Sequence, residues 1–585
     1  MNISTVEKLT GLPATAIRYY ESRGLITVKR KDNGYRSYDE ESVQILLQIR
    51  RLRELDVPLS DIRLWRDGVV THSELIIKRL RALDDDSQKS RECRTICEAL
   101  LKGDDPVASF STAPFAEEEG AELSPHGGPL LLGIDIGTTS ISAQVVASDS
   151  GVCVQTYNFD HNTALTVDGY PDAFAADADL LIRRATALIA SVTATYPTIA
   201  SIGIAGQMHG VICVDESGEI LSPLYTWQNG FGQRKPDGKR TICEEIAALS
   251  GEMIPTGYGI TTYYALRRLG LLPARTAAIV TVMDLLVARL TGTKPLIHPT
   301  NAAAMGAYDL EAGQFQADVL EKLQIPRTVL PDIAGGYWIV GTYDTVDRQI
   351  PVAVSIGDNQ AGLLGSLADD RRVLVNVGTS SQVSVITDDP TPLGGEVRPY
   401  FDGKYICSGA ALCGGRAYTL LKNFIRSIAS GLGMDLSDRA IYDYLNRAAK
   451  EGKGAPLAVS TQFDGTRENP DARGAITGIG LQNFTPEALS AGFLQGIVEE
   501  LYQMYTQMGA HGNVTGIVAS GNAMRKNPAL REICAATFGK ELLLPLHTEE
   551  AAFGAALFGG VAAGVILRGE SYAKIHYQNV KEEIE

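Results

Sequence analysis

Nothing in this sequence is long and apolar enough for a membrane span, since no run of about 18 apolar residues occurs. The opening MNISTVEKLT lacks the basic-then-apolar pattern of a secretory leader. A soluble, cytoplasmic chain without a membrane partner is the expectation. Cysteine is also uninformative in pattern: eight are scattered, with no Cys-x-x-Cys pair. That argues against a disulfide framework and a structural zinc site. Cys93 and Cys97 stand four apart without a third ligand nearby in sequence. Low-complexity tracts and short-period repeats are missing too, which removes the disordered and solenoid classes. What is present is a chain of 585 residues, 45% hydrophobic and 21% charged, too long for a single core.

Charge is divided unevenly along the chain. Residues 1–102 carry 19 Lys+Arg against 16 Asp+Glu, whereas the rest carries 34 against 53. Arg18, Arg23, Lys29, Arg30, Lys31 and Arg36 crowd the most basic stretch. A basic first part on an acidic remainder fits a polyanion meeting only that first part. The first 70 residues read as short helices: one capped by Ser4 and broken at Gly11, a second after Pro13 ending by Gly24. Asp32-Asn33-Gly34 between β-prone flanks signals a hairpin. Helices over Val43–Leu55 and around Leu59–Leu64 follow. Residues 73–102 read as a pairing helix, and 103–128, rich in Pro, Gly, Ser and acids, as a linker.

From residue 130 strands and helices alternate, as in an α/β protein of two halves. GIDIGTTS (133–140) sets Asp135 in an apolar strand just before a Gly-Thr-Thr turn. Glycine lets backbone N–H groups approach phosphate oxygens, threonine adds hydroxyl donors, and Asp135 could hold hydrated Mg²⁺. NVGTSSQVS (376–384) repeats the hairpin. Each is also ordinary turn chemistry, and it is the pairing that suggests two copies of one domain around a cleft. Between them, SIGDNQAGLLGS (355–366) presents Asp358 at a strand-to-helix junction, as a helix cap or as the base that phosphoryl transfer to a hydroxyl needs. ASGNAMRKNP (519–528) offers a small-residue loop against which an adenine ring could lie.

The order DIGTT, GDNQ, GTSS, GNAMRKNP and EEAAFGAALFGG (549–560) resembles the FGGY family of carbohydrate kinases over about residues 130–568. FDGTRENPDARG (463–474) and the LTG at 290–292 resemble further family signatures. The resemblance implies a two-domain actin-like (ribonuclease H-like) ATPase fold, with ATP and Mg²⁺ as cofactors. It implies Asp358 as general base and Asp135 as the metal-side acid. Gly137, Thr138, Thr139, Gly378, Thr379 and Ser380 match its phosphate hairpins, and Gly521, Asn522 and Asn527 its adenosine loop. IAGQMHG (204–210) resembles the sugar loop of xylulokinase-like members, so Gln207, Met208, His209, Trp227, Asn229, Asp358 and Asn359 are the implied sugar contacts. At 229 relatives usually carry Asp, and at 231 Arg, where this chain has Asn229 and Phe231. TWQ and TGYGITT (256–262) look closest to sedoheptulokinase-like members, which puts a seven-carbon ketose first and xylulose second.

AIRYYESRGLI and GYRSYDEESV resemble the MerR family of transcriptional regulators over about residues 1–70. This implies a winged helix-turn-helix on double-stranded DNA, with Thr15, Arg18 and Tyr19 on the groove helix and Arg36 and Tyr38 on the wing. It also implies a homodimer through the following helix. The expected layout is therefore an all-α winged helix-turn-helix (1–70), a dimerisation helix (71–102), a linker (103–128), two α/β kinase domains (129–367 and 368–568) and a tail (569–585). The activity implied is phosphorylation of a terminal ketose hydroxyl combined with gene regulation; the alternative is a sugar sensor whose kinase domain is weak or silent.

Overall fold

The computed structural model describes residues 1–30, 35–83, 88–102, 128–391, 394–452, 454, 457–466, 469, 471–509 and 514–579. The chain divides into two units, residues 1–126 with 183–197, and residues 127–182 with 198–585.

In the first unit, helix Ile3–Thr10 starts at Asn2, whose side chain accepts the Thr5 amide, and stops at Gly11 with a left-handed φ of +68°. Ser4, the expected cap, lies inside that helix. Arg50 from helix Glu40–Glu54 donates to the Thr10 carbonyl at 2.8 Å, satisfying one of the end carbonyls. Helix Ala14–Ser22 follows, and strands Lys29–Arg30 and Arg36–Ser37 pair antiparallel. The Asn33–Gly34 turn and the 103–127 part of the linker lie outside the described residues. Ile17, Leu46, Ile49, Leu52 and Ile62 are fully buried, each contributing about 1.5–3 kcal/mol by the usual transfer values. The pairing helix expected over 73–102 is two helices, His72–Ala82 and Gln88–Leu101, packed on one another. The former opens with a Thr71–Glu74 capping box. Residues 183–197 belong to helix Ala178–Thr195, and within this unit Arg184 pairs with Glu74 at 2.9 Å while the Ser191 hydroxyl donates to Asp67.

The second unit holds two seven-stranded sheets. In the first, Leu130–Ile136 turns antiparallel into Ser140–Ala147 and Cys153–Asp160, and pairs in parallel with Ile199–Gly206. In the second, Arg372–Val377 turns antiparallel into Ser381–Thr387 and pairs in parallel with Gly516–Ser520. The same strand plan appears twice, as the two Gly-Thr turns suggested. Helix Glu550–Ala562, although late in sequence, lies across the first sheet and against helix Asp358–Ser366. A Cβ at Gly133 would fall 1.9 Å from the Ala552 carbonyl oxygen, and one at Gly554 the same distance from that of Ala361. Only glycine permits those approaches. The expected C-terminal tail is part of the fold: Tyr577–Asn579 pairs antiparallel with Leu542–Pro545 at the edge of the second sheet. No helix among the described residues is long and apolar enough to cross a membrane.

Candidate active site

The two Gly-Thr turns stand at equivalent ends of equivalent strands. At the first, the Gly137 amide donates to the Ser140 carbonyl at 2.9 Å, and the Gly137 carbonyl accepts from the Gln207 amide at 3.3 Å. Thr139 is exposed, and the hydroxyl of half-buried Thr138 accepts from the Trp227 indole at 2.9 Å. At the second, the Gly378 amide donates to the Ser380 carbonyl at 2.9 Å, and Thr379 and Ser380 are exposed. Amides at the start of helix Gly415–Gly431 bind the turn's carbonyls from behind, Gly415 to Gly378 at 2.8 Å and Arg416 to Thr379 at 3.1 Å.

Asp135 lies beside the first turn, and its Oδ1 is buried with no hydrogen-bond partner among the described residues. Burial, reinforced by the charges of Asp358 and Glu549, pushes its carboxyl up to about 8. An acid held among acids, with an oxygen unsatisfied, suits a cation with an oxygen preference. Glu549 was not legible as a site residue. It adopts a left-handed φ of +56° and accepts from Ser142 at 2.7 Å and Asn158 at 2.8 Å. Strain of about 1–3 kcal/mol at a non-glycine position is typical of functional loops.

Asp358 opens helix Asp358–Ser366, where its Oδ1 accepts the Asn359 amide at 2.8 Å. Burial raises its carboxyl to about 6, opposed by that amide and by the charge of Arg398. The preceding loop is braced in two places: the Gly357 amide donates to Thr300 at 3.1 Å, and Ser355 donates to buried Asp284 at 2.5 Å. Asp358 and Asn359, from the first half, line one cavity of about 200 Å³ with Asn376 and Ser520 from the second. Those two residues pair directly across strands at the root of the second turn.

On the sugar side, Met208 packs against Gly357, so that a Cβ there would lie 2.7 Å from its sulfur. His209, at a left-handed φ of +74°, donates from Nδ1 to the Ala304 carbonyl at 2.7 Å, which leaves Nε2 as an acceptor. Trp227 is half exposed. Gln207 is buried, with its Oε1 unpartnered among the described residues. Asn229 is a correction to the expected sugar contacts. It is fully buried, its amide donating to the Ala173 carbonyl at 2.8 Å and its oxygen accepting the Phe231 amide at 2.9 Å. Both ends of the side chain are spent on backbone.

The residues expected at an adenosine loop are Gly521, Asn522 and Asn527. Gly521 takes φ +89° tightly against Asn376 and Val377, and Asn522 is exposed. Asn527 is a second correction: it is buried, caps helix Pro528–Phe538 through Leu530, and donates to Asn446 at 2.9 Å. Arg398, absent from every motif, is the largest omission. It is buried on strand Glu396–Pro399 and donates to Glu396 through Nε at 2.9 Å and Nη2 at 2.7 Å. Burial opposes ionisation of Glu396, but the Arg398 charge and the Tyr258 hydroxyl override it and hold the carboxyl at about 2. An alternating charged residue on a short strand gives no signal of its own.

In the first unit, Thr15 and Arg18 are exposed on helix Ala14–Ser22, and Tyr19 is half-buried with the Arg23 guanidinium 5.2 Å over its ring. Arg36 is held by Glu21. Tyr38 is a third correction, for it is 1% exposed and belongs to the core, out of reach of a phosphate.

Comparison with known proteins agrees with this architecture. Residues 130–365 match the FGGY family of carbohydrate kinases, N-terminal domain, and residues 373–563 its C-terminal domain. Residues 1–68 match the MerR HTH family regulatory protein model. A sedoheptulokinase of Mus musculus is 26% identical over 73% of this chain and 97% of its own length. One of Homo sapiens is 27% identical over 69% and 92%. The structure of a ligand-bound xylulose kinase from Lactobacillus acidophilus covers 77% of this chain and 93% of its own, with a TM-score of 0.66 at 20% identity. Two equivalent Gly-Thr turns, a cavity holding Asp358, and matches to both family domains in order lead to one conclusion: the chain belongs to the FGGY family of carbohydrate kinases, and carries a MerR-type helix-turn-helix domain ahead of its kinase domains.

Proposed function

We propose that the chain transfers the γ-phosphoryl group of ATP to a terminal hydroxyl of a ketose, of seven carbons first and a ketopentose second, and that its first unit binds double-stranded DNA to regulate transcription. The observation that carries the kinase reading is the shared cavity of about 200 Å³, in which Asp358 faces Asn376 and Ser520 beneath the second phosphate turn. Asp358 takes the proton of the acceptor hydroxyl, the hydroxyl oxygen forms a bond to the γ-phosphorus, and the bond to the β-phosphate oxygen breaks to release ADP. The turn amides and Thr138, Thr139, Thr379 and Ser380 orient phosphate oxygens. Asp135 would hold Mg²⁺, which when bound supplies charge neutralisation on the phosphates. Resemblance to the two sedoheptulokinases supports the seven-carbon choice.

The test is ATP turnover by the full chain over a panel of C5–C7 ketoses, with Asp358→Asn as control. Turnover on a ketose that falls by ~10²–10⁴-fold in the control is the expected result. Equal turnover by the variant would remove Asp358 as base. One observation favours a second reading: at position 229, where relatives usually carry an acid, stands a buried amide spent on backbone. Ketose binding without turnover in the wild-type chain would make the protein a sugar-sensing regulator instead.

A further inference from the structure

The geometry points to Arg398 as a sugar-binding residue: with Asp358 it forms the acceptor pocket, donating from Nη1 to an oxygen of a neutral polyhydroxy ketose. This rests on the kinase reading above and names a residue that the reading does not use. The argument begins with donors. A guanidinium carries five N–H groups. Arg398 commits Nε to Glu396 at 2.9 Å, and Nη2 to Glu396 at 2.7 Å and to His209 Nε2 at 3.3 Å. Nη1 meets the Met208 thioether at 3.5 Å, a weak sulfur acceptor, and the Tyr258 hydroxyl also bonds the guanidinium. A buried cation, 7% exposed, therefore keeps its most weakly bonded N–H groups on one side.

That side is the reacting side. The Met208 sulfur that touches Nη1 also packs on Gly357, the residue before Asp358, and the Arg398 charge is felt at the Asp358 carboxyl. An acceptor hydroxyl presented to Asp358 brings its neighbouring oxygens toward the guanidinium. Burying an arginine–glutamate pair is a poor way to stabilise a fold, because desolvation consumes the attraction, so a structural role alone accounts badly for it. The pocket also acquires a wall from each kinase domain: Arg398 lies in residues matched to the C-terminal domain, and Met208, His209 and Tyr258 in those matched to the N-terminal one.

Charge sets the ligand class. Glu396 is ionised and bonded to Arg398 and to the Tyr258 hydroxyl at 2.5 Å, so the pair is neutral overall. His209 Nε2 lies 3.3 Å from Arg398 Nη2 in the same cluster. Asp358 adds a further carboxyl on the reacting side. A sugar acid would meet no net positive charge there, whereas hydroxyl or carbonyl oxygens of a neutral ketose need only the donor. Glu396, by neutralising Arg398, thereby disfavours aldonates while the Arg398 donor admits ketoses.

The test compares the full chain with Arg398→Met and Glu396→Gln, measuring ketose KM, ATP KM, kcat, and the melting shift caused by ketose without nucleotide. For Arg398→Met a ketose KM raised by ~10–100-fold is expected, from loss of a charged donor, with ATP KM and the ADP-induced melting shift within about twofold. An unchanged ketose KM, or equal losses for ketose and ATP, would overturn the assignment. Glu396→Gln leaves Arg398 uncompensated, and should admit gluconate as an inhibitor competitive with ketose. Unaltered insensitivity to gluconate would count against it even if Arg398→Met did not fold. Wild-type protein that binds ketose without turning it over would sink the kinase reading alone, since the nucleotide-free melting shift still tests Arg398.

Discussion

At the residue scale, the pH dependence of the reaction follows from Asp358. Its carboxyl is raised to about 6 by burial, and catalysis needs the ionised form. The sign is therefore a loss of activity on the acid side: kcat/KM stays level above about pH 7 and falls tenfold per unit below about 6. A profile measured from pH 5 to 8 checks this, and a profile still level down to pH 5 would mean the carboxylate is not desolvated in the free enzyme. Asp358 was legible because its neighbours Gly357, Asn359 and Gln360 form a local motif. Arg398 was not, since its role comes from Met208, Gly357 and His209, which chain folding alone brings to it. Tyr38 and Asn229 misled for the opposite reason: both sit in strings that match family patterns, yet one packs in a core and the other ties its own turn to strand Tyr170–Ala176. Asn527 carried its own clue, because Asn before Pro at a helix start is a capping signal.

Among elements, helix Glu550–Ala562 shows what pattern reading misses. Its glycines belong to a family string, but their reason is contact: Gly554 abuts the Ala361 carbonyl, and Gly559 lies against Gly203. Both two-strand hairpins were readable from a local turn flanked by apolar residues, whereas strand Tyr577–Asn579 is too short to leave a periodic trace. Packing this close gives a direct prediction. Gly554→Ala places a methyl where backbone oxygen already sits, so a loss of about 1–3 kcal/mol or more is expected. Gly431→Ala, at a helical position with nothing within 4 Å, should instead be neutral or gain up to about 1 kcal/mol. Urea midpoints of the two variants separate these outcomes, and equal stability of both would mean the helix can retreat without penalty.

On the scale of the whole molecule, charge separates the two jobs proposed for one chain. The formal net charge is −16, made of +3 over the first 102 residues (19 against 16) and −19 over the rest (34 against 53). A polyanion is therefore attracted by one small basic surface and repelled by the rest, so the proposed DNA binding would depend on few contacts, each adding about 0.9 to the salt slope. Thr15 and Arg18 stand exposed on helix Ala14–Ser22, while Arg36 is already paired with Glu21. Arg18 should then carry a full share of the electrostatics and Arg36 less than one. With DNA affinity of the full chain measured between 50 and 200 mM salt, Arg18→Ala should flatten the slope of log K against log salt by about 0.9, the value for one phosphate contact. Arg36→Ala should flatten it by less, because the Arg36 charge is already offset by Glu21. A slope indifferent to Arg18 would place the DNA surface elsewhere on the first unit, and would leave the exposed face of Ala14–Ser22 without a role.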